Sequence, residues 1–234
     1  MLPLLVSLYP EPPYAYDEAR IAIAFLDNPL SSVPPGLLPE GIEYLPLQVA
    51  VFADYPDSTI GPYREAVVLV GVMRNGNPAL YCPLIYVTSD TALCAGREIW
   101  GFPKKLAVID IKHGEGDSLH CRLERGGDNL LVLDGSIPNE IDTSSVALLE
   151  NLTVINHKLV PSAGGGDPDI DVLTAVSSEQ SVKAVLSGVG TLQAGGEVAQ
   201  VLGSGGTAQI LWSLSDLVLP YGDVLPYGDV LSHD

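Results

Sequence analysis

Basic residues are scarce in this sequence, and no apolar stretch is long enough to cross a membrane. Only 11 lysines and arginines stand against 29 aspartates and glutamates, which gives a formal net charge of −18. Such a surface repels phosphate backbones, so the composition argues against a nucleic-acid partner. A membrane helix needs roughly 18 consecutive apolar residues, and no run of that length occurs. We therefore expect neither nucleic acid nor membrane among the partners.

Cysteine and histidine are also rare, which limits disulfide and metal chemistry. The three cysteines, Cys82, Cys94 and Cys121, cannot all pair, and no CxxC spacing occurs. We interpret them as reduced thiols, which are typical of a cytoplasmic protein. The opening segment is apolar but short and lacks a basic leader, so we do not interpret it as a signal peptide. The four histidines form no HxH or HxxxH pair, and we expect no metal site.

Glycine, proline and β-branched apolar runs are abundant instead. The 24 glycines and 19 prolines separate many short apolar segments, a pattern typical of strands joined by turns. Asn75-Gly76 and Gly126-Gly127 predict two hairpins, whereas residues 89–98 and 177–186 predict helices. We therefore predict an α+β fold that is mainly antiparallel β. Because closure removes exposed strand edges, we expect a closed or cone-shaped β-barrel with a few short helices.

No break in composition divides the chain, so we predict a single domain over residues 1–234. Its end repeats the hexapeptide Leu-Pro-Tyr-Gly-Asp-Val at 219–224 and again at 225–230. Two copies are too few for a solenoid. We interpret 219–234 as a low-complexity extension of the domain, with a possible use in subunit contacts.

The segment Gly96-Arg-Glu-Ile-Trp-Gly-Phe-Pro-Lys-Lys-Leu106 concentrates residues that can carry chemistry. Two adjacent lysines, Lys104 and Lys105, follow an apolar stretch, and Pro103 restricts the backbone just before them. Neighbouring side chains in a strand point to opposite faces, so one lysine can be buried while the other is solvated. The spacing alone is equally compatible with an ordinary strand start that carries two surface lysines.

This segment is similar to the active-site segment of the acetoacetate decarboxylase family. In that family the first lysine of the Pro-Lys-Lys triplet forms an imine with a β-keto acid, and Lys104 occupies its place here. A second match, Tyr63-Arg-Glu65 before the apolar run 66–72, resembles the family's Tyr-x-Glu element and implies that Glu65 lies at the site. The resemblance implies a homo-oligomeric enzyme that needs no cofactor and acts on a small keto acid or a related carbonyl compound.

Imine chemistry suggests roles for the neighbours of the lysine. The amine must be unprotonated to attack a carbonyl carbon, although the ordinary pKa of lysine is about 10.4. Desolvation and nearby cations both favour the neutral amine. We therefore predict Trp100 and Phe102 as an apolar wall, and Lys105 and Arg97 as sources of positive charge. A carboxylate can move protons at such a site.

Three further residues are predicted to contact the substrate: Arg20, Tyr63 and Glu98. Arg20 matches the family's arginine on an early strand if a short gap is allowed, while Glu98 could instead order the end of a helix. The chain departs from the family in strand 48–52, where Ala50 takes the approximate place of a second acidic residue. This departure leaves the imine chemistry intact but weakens the case for acetoacetate as the substrate.

Three functions remain open at this point. The first is a cofactor-independent Schiff-base decarboxylase, a carbon–carbon lyase acting on a β-keto acid. The second is a Schiff-base aldolase or dehydratase acting on a pyruvate-like or polyketide-derived carbonyl compound. The third is a non-catalytic barrel that binds small molecules. The presence of Lys104 and Glu65 favours an enzyme, and we predict the decarboxylase, with the aldolase or dehydratase as the alternative that the sequence leaves open.

Overall fold

Strands dominate the computed structural model, which describes residues 8–146 and 153–225. The strands are β1 (Tyr14–Leu26), β2 (Glu43–Tyr55), β3 (Asp57–Ser58), β4 (Tyr63–Arg74), β5 (Asn77–Val87), β6 (Lys104–Leu106), β7 (Val108–His113), β8 (Ser118–Arg125), β9 (Asp128–Ile141), β10 (Thr153–Val160), β11 (Ile170–Ser177), β12 (Glu179–Ala194), β13 (Gly205–Leu219) and β14 (Asp223–Leu225). The helices are α1 (Asp90–Trp100) and α2 (Gly196–Leu202), with a 3₁₀ turn at Glu115–Asp117. Within the described ranges, no helix has the length and apolar character that crossing a membrane requires.

All fourteen strands belong to one sheet. Its order is β14-β11-β10-β5-β4-β2-β1-β13-β12-β9-β8-β7, with β3 beside β1 and β6 beside β5. Strand β5 runs parallel to β10 and to β6, whereas its pairing with β4 is antiparallel, like most pairings in the sheet. This confirms the predicted α+β, mainly antiparallel fold. Within residues 8–146 and 153–225, the strand order runs from β14 to β7 with no pairing between these two end strands, so closure by hydrogen bonds is not seen there. The sheet is nevertheless curled, because one core contains residues of β2 and β4 together with residues of β8 and β9.

The curled sheet encloses one large apolar core. Alternate residues of the central and later strands form it, among them Ala24, Phe52, Val68, Leu123 and Leu133. We call the surface that carries them the first face. Because successive side chains of a strand alternate, the residues between them point to the opposite surface, the second face. The second face of β1, β2, β4 and β5 is also apolar, and it positions the site described next.

Both predicted hairpins are confirmed, but one of the two predicted helices is wrong. Asn75 and Gly76 join β4 to β5 with φ of 49° and 76°, as a two-residue turn with positive φ at both central positions requires. Helix α1 covers the predicted segment 89–98. The segment 177–186 belongs mostly to β12, which pairs with β13 and β9 along its length. An i,i+4 ion pair contributes only about 0.2–0.5 kcal/mol to a helix, and two ladders of hydrogen bonds outweigh it.

The first copy of the C-terminal repeat is part of the sheet. Leu219 ends β13, and Asp223–Leu225 pairs with Leu173–Ala175 of β11. Residues 226–234, which contain most of the second copy, lie outside the described residues, as do 1–7 of the opening segment.

Candidate active site

Helix α1 and the turn after it place Lys104. The helix begins at Ser89, whose hydroxyl accepts a hydrogen bond from the Ala92 amide at 3.3 Å. It ends at Gly101 in the left-handed conformation, with φ of 73°. A Cβ atom at Gly101 would lie 2.5 Å from Cβ of Lys158, so both the turn and the close approach of β10 require glycine. The chain then enters β6, where Lys104 lies beside Ile85 of β5 on the second face.

Lys104 forms a buried ion pair with Glu65 of β4. The distance from Nζ to Oε2 is 2.7 Å, and the two side chains are 8% and 11% exposed. Burial penalises both charges, while their mutual attraction stabilises them. Transfer of one proton from Nζ to Oε2 would leave a neutral amine beside a neutral carboxylic acid. The pair can therefore supply the uncharged nitrogen that attack on a carbonyl carbon requires.

The backbone of α1 lies directly against the lysine side chain. A Cβ atom added at Gly96 would lie 2.5 Å from both Cδ and Cε of Lys104. Real Cβ atoms do not approach other carbons this closely, so a larger residue would push the lysine away from its place. Glycine at position 96 lets the helix fix the direction in which the amine points.

Lys104 and Glu65 border a cavity of about 200 Å³. Most of its lining is aliphatic and comes from the second face of the sheet, with Ile21, Ile23, Val51, Val67, Leu69 and Ile85 among the residues. The ring of Phe102 completes this wall, with its centroid 5.6 Å from Nζ of Lys104. An aromatic face at this distance stabilises a cation, which includes an iminium ion formed on the lysine.

Three tyrosines form a cluster in the polar part of the lining. The ring centroids of Tyr16 and Tyr55 are 4.7 Å apart, those of Tyr55 and Tyr63 are 4.9 Å apart, and the Tyr63 hydroxyl donates to the Tyr16 hydroxyl at 3.3 Å. Burial, followed by the negative charge of Glu65, raises the pKa of Tyr55 and Tyr63 well above the usual value. These phenols therefore stay neutral and keep their O–H donors.

The structure brings four of the predicted residues together: Lys104, Glu65, Tyr63 and Phe102 all line the cavity. The ring of Tyr63 also lies near the lysine, with its centroid 5.6 Å from Nζ of Lys104. The ion pair of Glu65 is with Lys104 and not with its sequence neighbour Arg64. Arg64 instead donates to Asp54 at 3.1 Å.

The two predicted sources of positive charge lie outside the cavity. Lys105 points to the first face and pairs with Glu197 of α2, and these side chains are 31% and 33% exposed. Burial raises the pKa of Glu197, but hydrogen bonds from Lys105 and Tyr86 hold it below its usual value. Arg97 is exposed and donates to the backbone carbonyl of Lys104 at 3.4 Å. It supports the backbone of β6 and does not face the amine.

Trp100, Arg20 and Glu98 also lie away from the cavity. Trp100 is buried, but its indole N–H donates to the carbonyl of Pro220 at 2.9 Å, which ties α1 to the chain after β13. The Arg20 side chain is 51% exposed and lies 3.6 Å from Asp54. Glu98 is exposed and accepts a hydrogen bond from the Tyr9 hydroxyl. We therefore assign these three residues no contact with a molecule in the cavity.

The position assumed for the missing acidic residue needs correction. Ala50 lies in the core on the first face, opposite Val68, and cannot face the site. The β2 residue directly opposite Glu65 is Ala53. Among the described residues that line the cavity, Glu65 is the only one with a carboxylate side chain. Ala50 therefore does not contribute to the lining of the cavity.

Sequence reasoning missed four polar residues of the lining: Tyr16, Tyr55, Ser178 and Gln180. They come from β1, β2, the residue between β11 and β12, and the start of β12, far from the lysine segment in sequence. The sequence could have indicated Tyr55. It follows Ala53 by two residues in a strand, so the two side chains lie on the same face, and Ala53 lies opposite Glu65. The direct pairing of Tyr55 with Tyr63 brings it to the site.

Comparisons with known sequences show which family the chain resembles along most of its length. The sequence model described as acetoacetate decarboxylase (ADC) matches residues 32–225. Acetoacetate decarboxylase 3 of Mesorhizobium japonicum is 33% identical over 174 residues, which cover 70% of this chain and 65% of the relative. Acetoacetate decarboxylase 2 of the same organism is 32% identical over 128 residues, 53% of this chain and 48% of the relative. The matched part thus spans less than two thirds of the length of either relative.

Solved structures share the fold over nearly the whole chain. The acetoacetate decarboxylase of Legionella pneumophila superposes with a TM-score of 0.83 at 26% identity, covering 94% of this chain and 90% of the other. The enduracididine biosynthesis enzyme MppR complexed with pyruvate has a TM-score of 0.79 at 16% identity, with coverage of 95% and 93%. The second likeness concerns the fold alone. Because the family model matches most of the sequence, this chain belongs to the acetoacetate decarboxylase family.

Proposed function

We propose that the protein is a cofactor-independent Schiff-base enzyme that decarboxylates a β-keto acid through Lys104. The observation that carries the proposal is the buried pair of Lys104 and Glu65, 2.7 Å apart at the wall of an apolar cavity. A lysine amine activated by desolvation is a recognised nucleophile toward ketones, and acetoacetate decarboxylase is a known instance of it.

The reaction begins with a proton transfer within the pair. Lys104 gives a proton to Glu65, and its nitrogen then forms a bond to the ketone carbon while one of the remaining protons of that nitrogen passes to the ketone oxygen, which gives a neutral carbinolamine. Glu65 returns its proton to the resulting hydroxyl group, and water leaves. An iminium ion remains on Lys104, beside the rings of Phe102 and Tyr63.

Loss of carbon dioxide follows from the iminium ion. The bond to the carboxylate carbon breaks, and its electron pair forms the double bond of an enamine as the iminium charge is neutralised. Protonation of the enamine carbon by water regenerates an iminium ion. Hydrolysis then releases the ketone and the free amine of Lys104.

The lining of the cavity favours decarboxylation over chemistry on a pyruvate-like acid. A carboxylate that stays in the product is held most strongly by a lasting cationic partner, and Lys104, whose amine is used to form the imine, is the only cationic side chain among the described lining residues. A β-keto acid loses its carboxylate as neutral carbon dioxide, so it needs no such partner at the end of the reaction. This contrast supports the lyase over the aldolase or dehydratase.

Borohydride trapping with a matched pair of lysine variants tests the proposal. Incubation with acetoacetate and borohydride should add the substrate-derived mass to Lys104 and not to Lys105, as mapped by peptide mass spectrometry. Lys104→Arg should lower the rate of CO2 release at least about 10³-fold, because arginine keeps the charge but forms no imine. Lys105→Arg serves as the control and should stay within a few-fold of the original rate.

Two results would contradict the proposal. One is full CO2 release by Lys104→Arg. The other is a stable pyruvate adduct on Lys104 together with no CO2 release from any β-keto acid, which would favour the aldolase or dehydratase.

A further inference from the structure

The register of the sheet divides the cavity into two unlike ends. Tyr55 lies directly opposite Tyr63, and Ala53 lies opposite Glu65 in the next row along the second face. The row after that holds Val51, Val67, Ile85 and Lys104, which are paired across β2, β4, β5 and β6. Since Nζ of Lys104 reaches back to Glu65, the reactive nitrogen stands between the tyrosines and the aliphatic rows.

The aliphatic end is longer than a methyl group can fill. Leu69 lies two rows beyond Glu65 on β4, and Leu80 and Val154 border the same end from β5 and β10. Two residues along a strand span about 6.6–6.8 Å, so the rows from Glu65 to Leu69 extend over roughly 13 Å. Acetoacetate presents only one methyl group beyond its ketone carbon.

The opposite end offers hydrogen-bond donors. The rings of Tyr16, Tyr55 and Tyr63 pack together there, with the hydroxyls of Tyr16 and Tyr63 3.3 Å apart, and the raised pKa of Tyr55 and Tyr63 keeps both phenols protonated. Phenol O–H groups donate to a carboxylate, whereas the aliphatic rows contain no donor that could do so. A substrate that places its ketone at Lys104 is thereby oriented, with its carboxylate toward the tyrosines and its other substituent toward Leu69.

We propose that the preferred substrate is a β-keto acid whose ketone carries an aliphatic chain of several carbons, received by the rows that end at Leu69. This inference rests on the proposed function and specifies its substrate class. Each methylene group buried there should improve kcat/KM about fourfold, which corresponds to ~0.8 kcal/mol. The length of the aliphatic chain on the ketone therefore determines which β-keto acid is preferred, while the tyrosines determine the orientation in which it binds.

A series of β-keto acids tests this assignment. CO2 release above the spontaneous rate is measured for acetoacetate, 3-oxohexanoate and 3-oxooctanoate with the whole chain. We expect kcat/KM for 3-oxohexanoate to exceed that for acetoacetate about 16-fold, from two methylene groups at about fourfold each. Equal or higher kcat/KM for acetoacetate would overturn the inference while leaving the Schiff-base function in place. Absence of both CO2 release and borohydride adducts with every acid would instead remove the proposed function itself.

Two variants and a control locate the selectivity in the aliphatic rows. Val51→Phe narrows them and should lower the ratio of kcat/KM for 3-oxohexanoate to that for acetoacetate at least tenfold. Leu69→Ala lengthens them and should move the optimum toward 3-oxooctanoate. Val108→Phe, on an exposed side chain outside the cavity, should leave the ratio unchanged. A ratio that responds to neither cavity variant, or responds equally to the control, overturns the assignment.

Discussion

Two adjacent lysines, each paired with a glutamate, lie in opposite surroundings. Lys104 and Glu65 are 8% and 11% exposed on the second face, beside an apolar cavity, whereas Lys105 and Glu197 are 31% and 33% exposed on the first face. The chemical groups are the same in both pairs. Under the proposed function, burial and an adjoining space for a ligand, and not the lysine–glutamate contact, distinguish the reactive amine.

The largest expected difference between the two pairs concerns catalysis by the glutamates. Glu65→Gln should lower kcat for CO2 release by about 10²–10⁴-fold, because the amide cannot accept the proton of Lys104 or return it to the leaving hydroxyl. Glu197→Gln should change kcat by no more than a few-fold. The rates are measured under saturating β-keto acid. Equal losses in the two variants would mean that the pairs do not differ in function.

The next difference concerns stability. Lys104→Met alone should cost about 3–5 kcal/mol of unfolding free energy, because it leaves the carboxylate of Glu65 buried without a partner. The double variant Lys104→Met with Glu65→Leu should recover most of that loss, since apolar residues can replace a buried pair. Lys105→Met should cost about 1 kcal/mol or less, as half-exposed pairs do.

Urea denaturation of these variants measures the unfolding free energies. The comparison breaks if the variants at Lys104 and Lys105 lose the same stability, or if the double variant is no more stable than Lys104→Met.

A smaller effect should follow from the contact that only one of the two lysines makes with α1. Gly96→Ala should lower kcat about 10–100-fold, because the new methyl group displaces the Lys104 side chain and misplacement by about 1 Å can cost 10²-fold. Thr91→Ala on the same helix is the control. Thermal unfolding separates this effect from damage to the helix, since glycine to alanine normally stabilises a helix by about 1 kcal/mol. Unchanged kcat in Gly96→Ala would show that the helix does not aim the amine.

Much of the fold and the centre of the site could be predicted from local sequence. Hairpin turns such as Asn75-Gly76 impose positive φ locally, and the alternation of a strand separates Lys104 from Lys105 wherever that strand lies. The resemblance of Tyr63-Arg-Glu65 to the family's Tyr-x-Glu element pointed to Glu65, which the fold brings to Lys104 from a distant strand.

The face on which other residues lie could not be predicted, and Arg20 shows why. Both faces of β1 carry apolar residues: Ala22 and Ala24 belong to the large core, while Ile21 and Ile23 line the cavity. The hydrophobic pattern of this strand therefore does not indicate which of its faces points to the core and which to the cavity. Arg20 lies in register with Asp54 on the neighbouring strand, where it is half-exposed. The tyrosine partners at Tyr16 and Tyr55 depend on the same register between distant strands.

Strand β6 is only three residues long, and its alignment beside β5 determines which of the two lysines faces the cavity. It is held by hydrogen bonds at each end, from Phe102 to Gly96 and from Ala107 to Val87, at 3.0 and 3.1 Å. Sliding this strand by one position would exchange the two lysines between cavity and core without changing any side chain. The number of residues between the end of α1 and the first lysine therefore determines which of the two lysines faces the cavity.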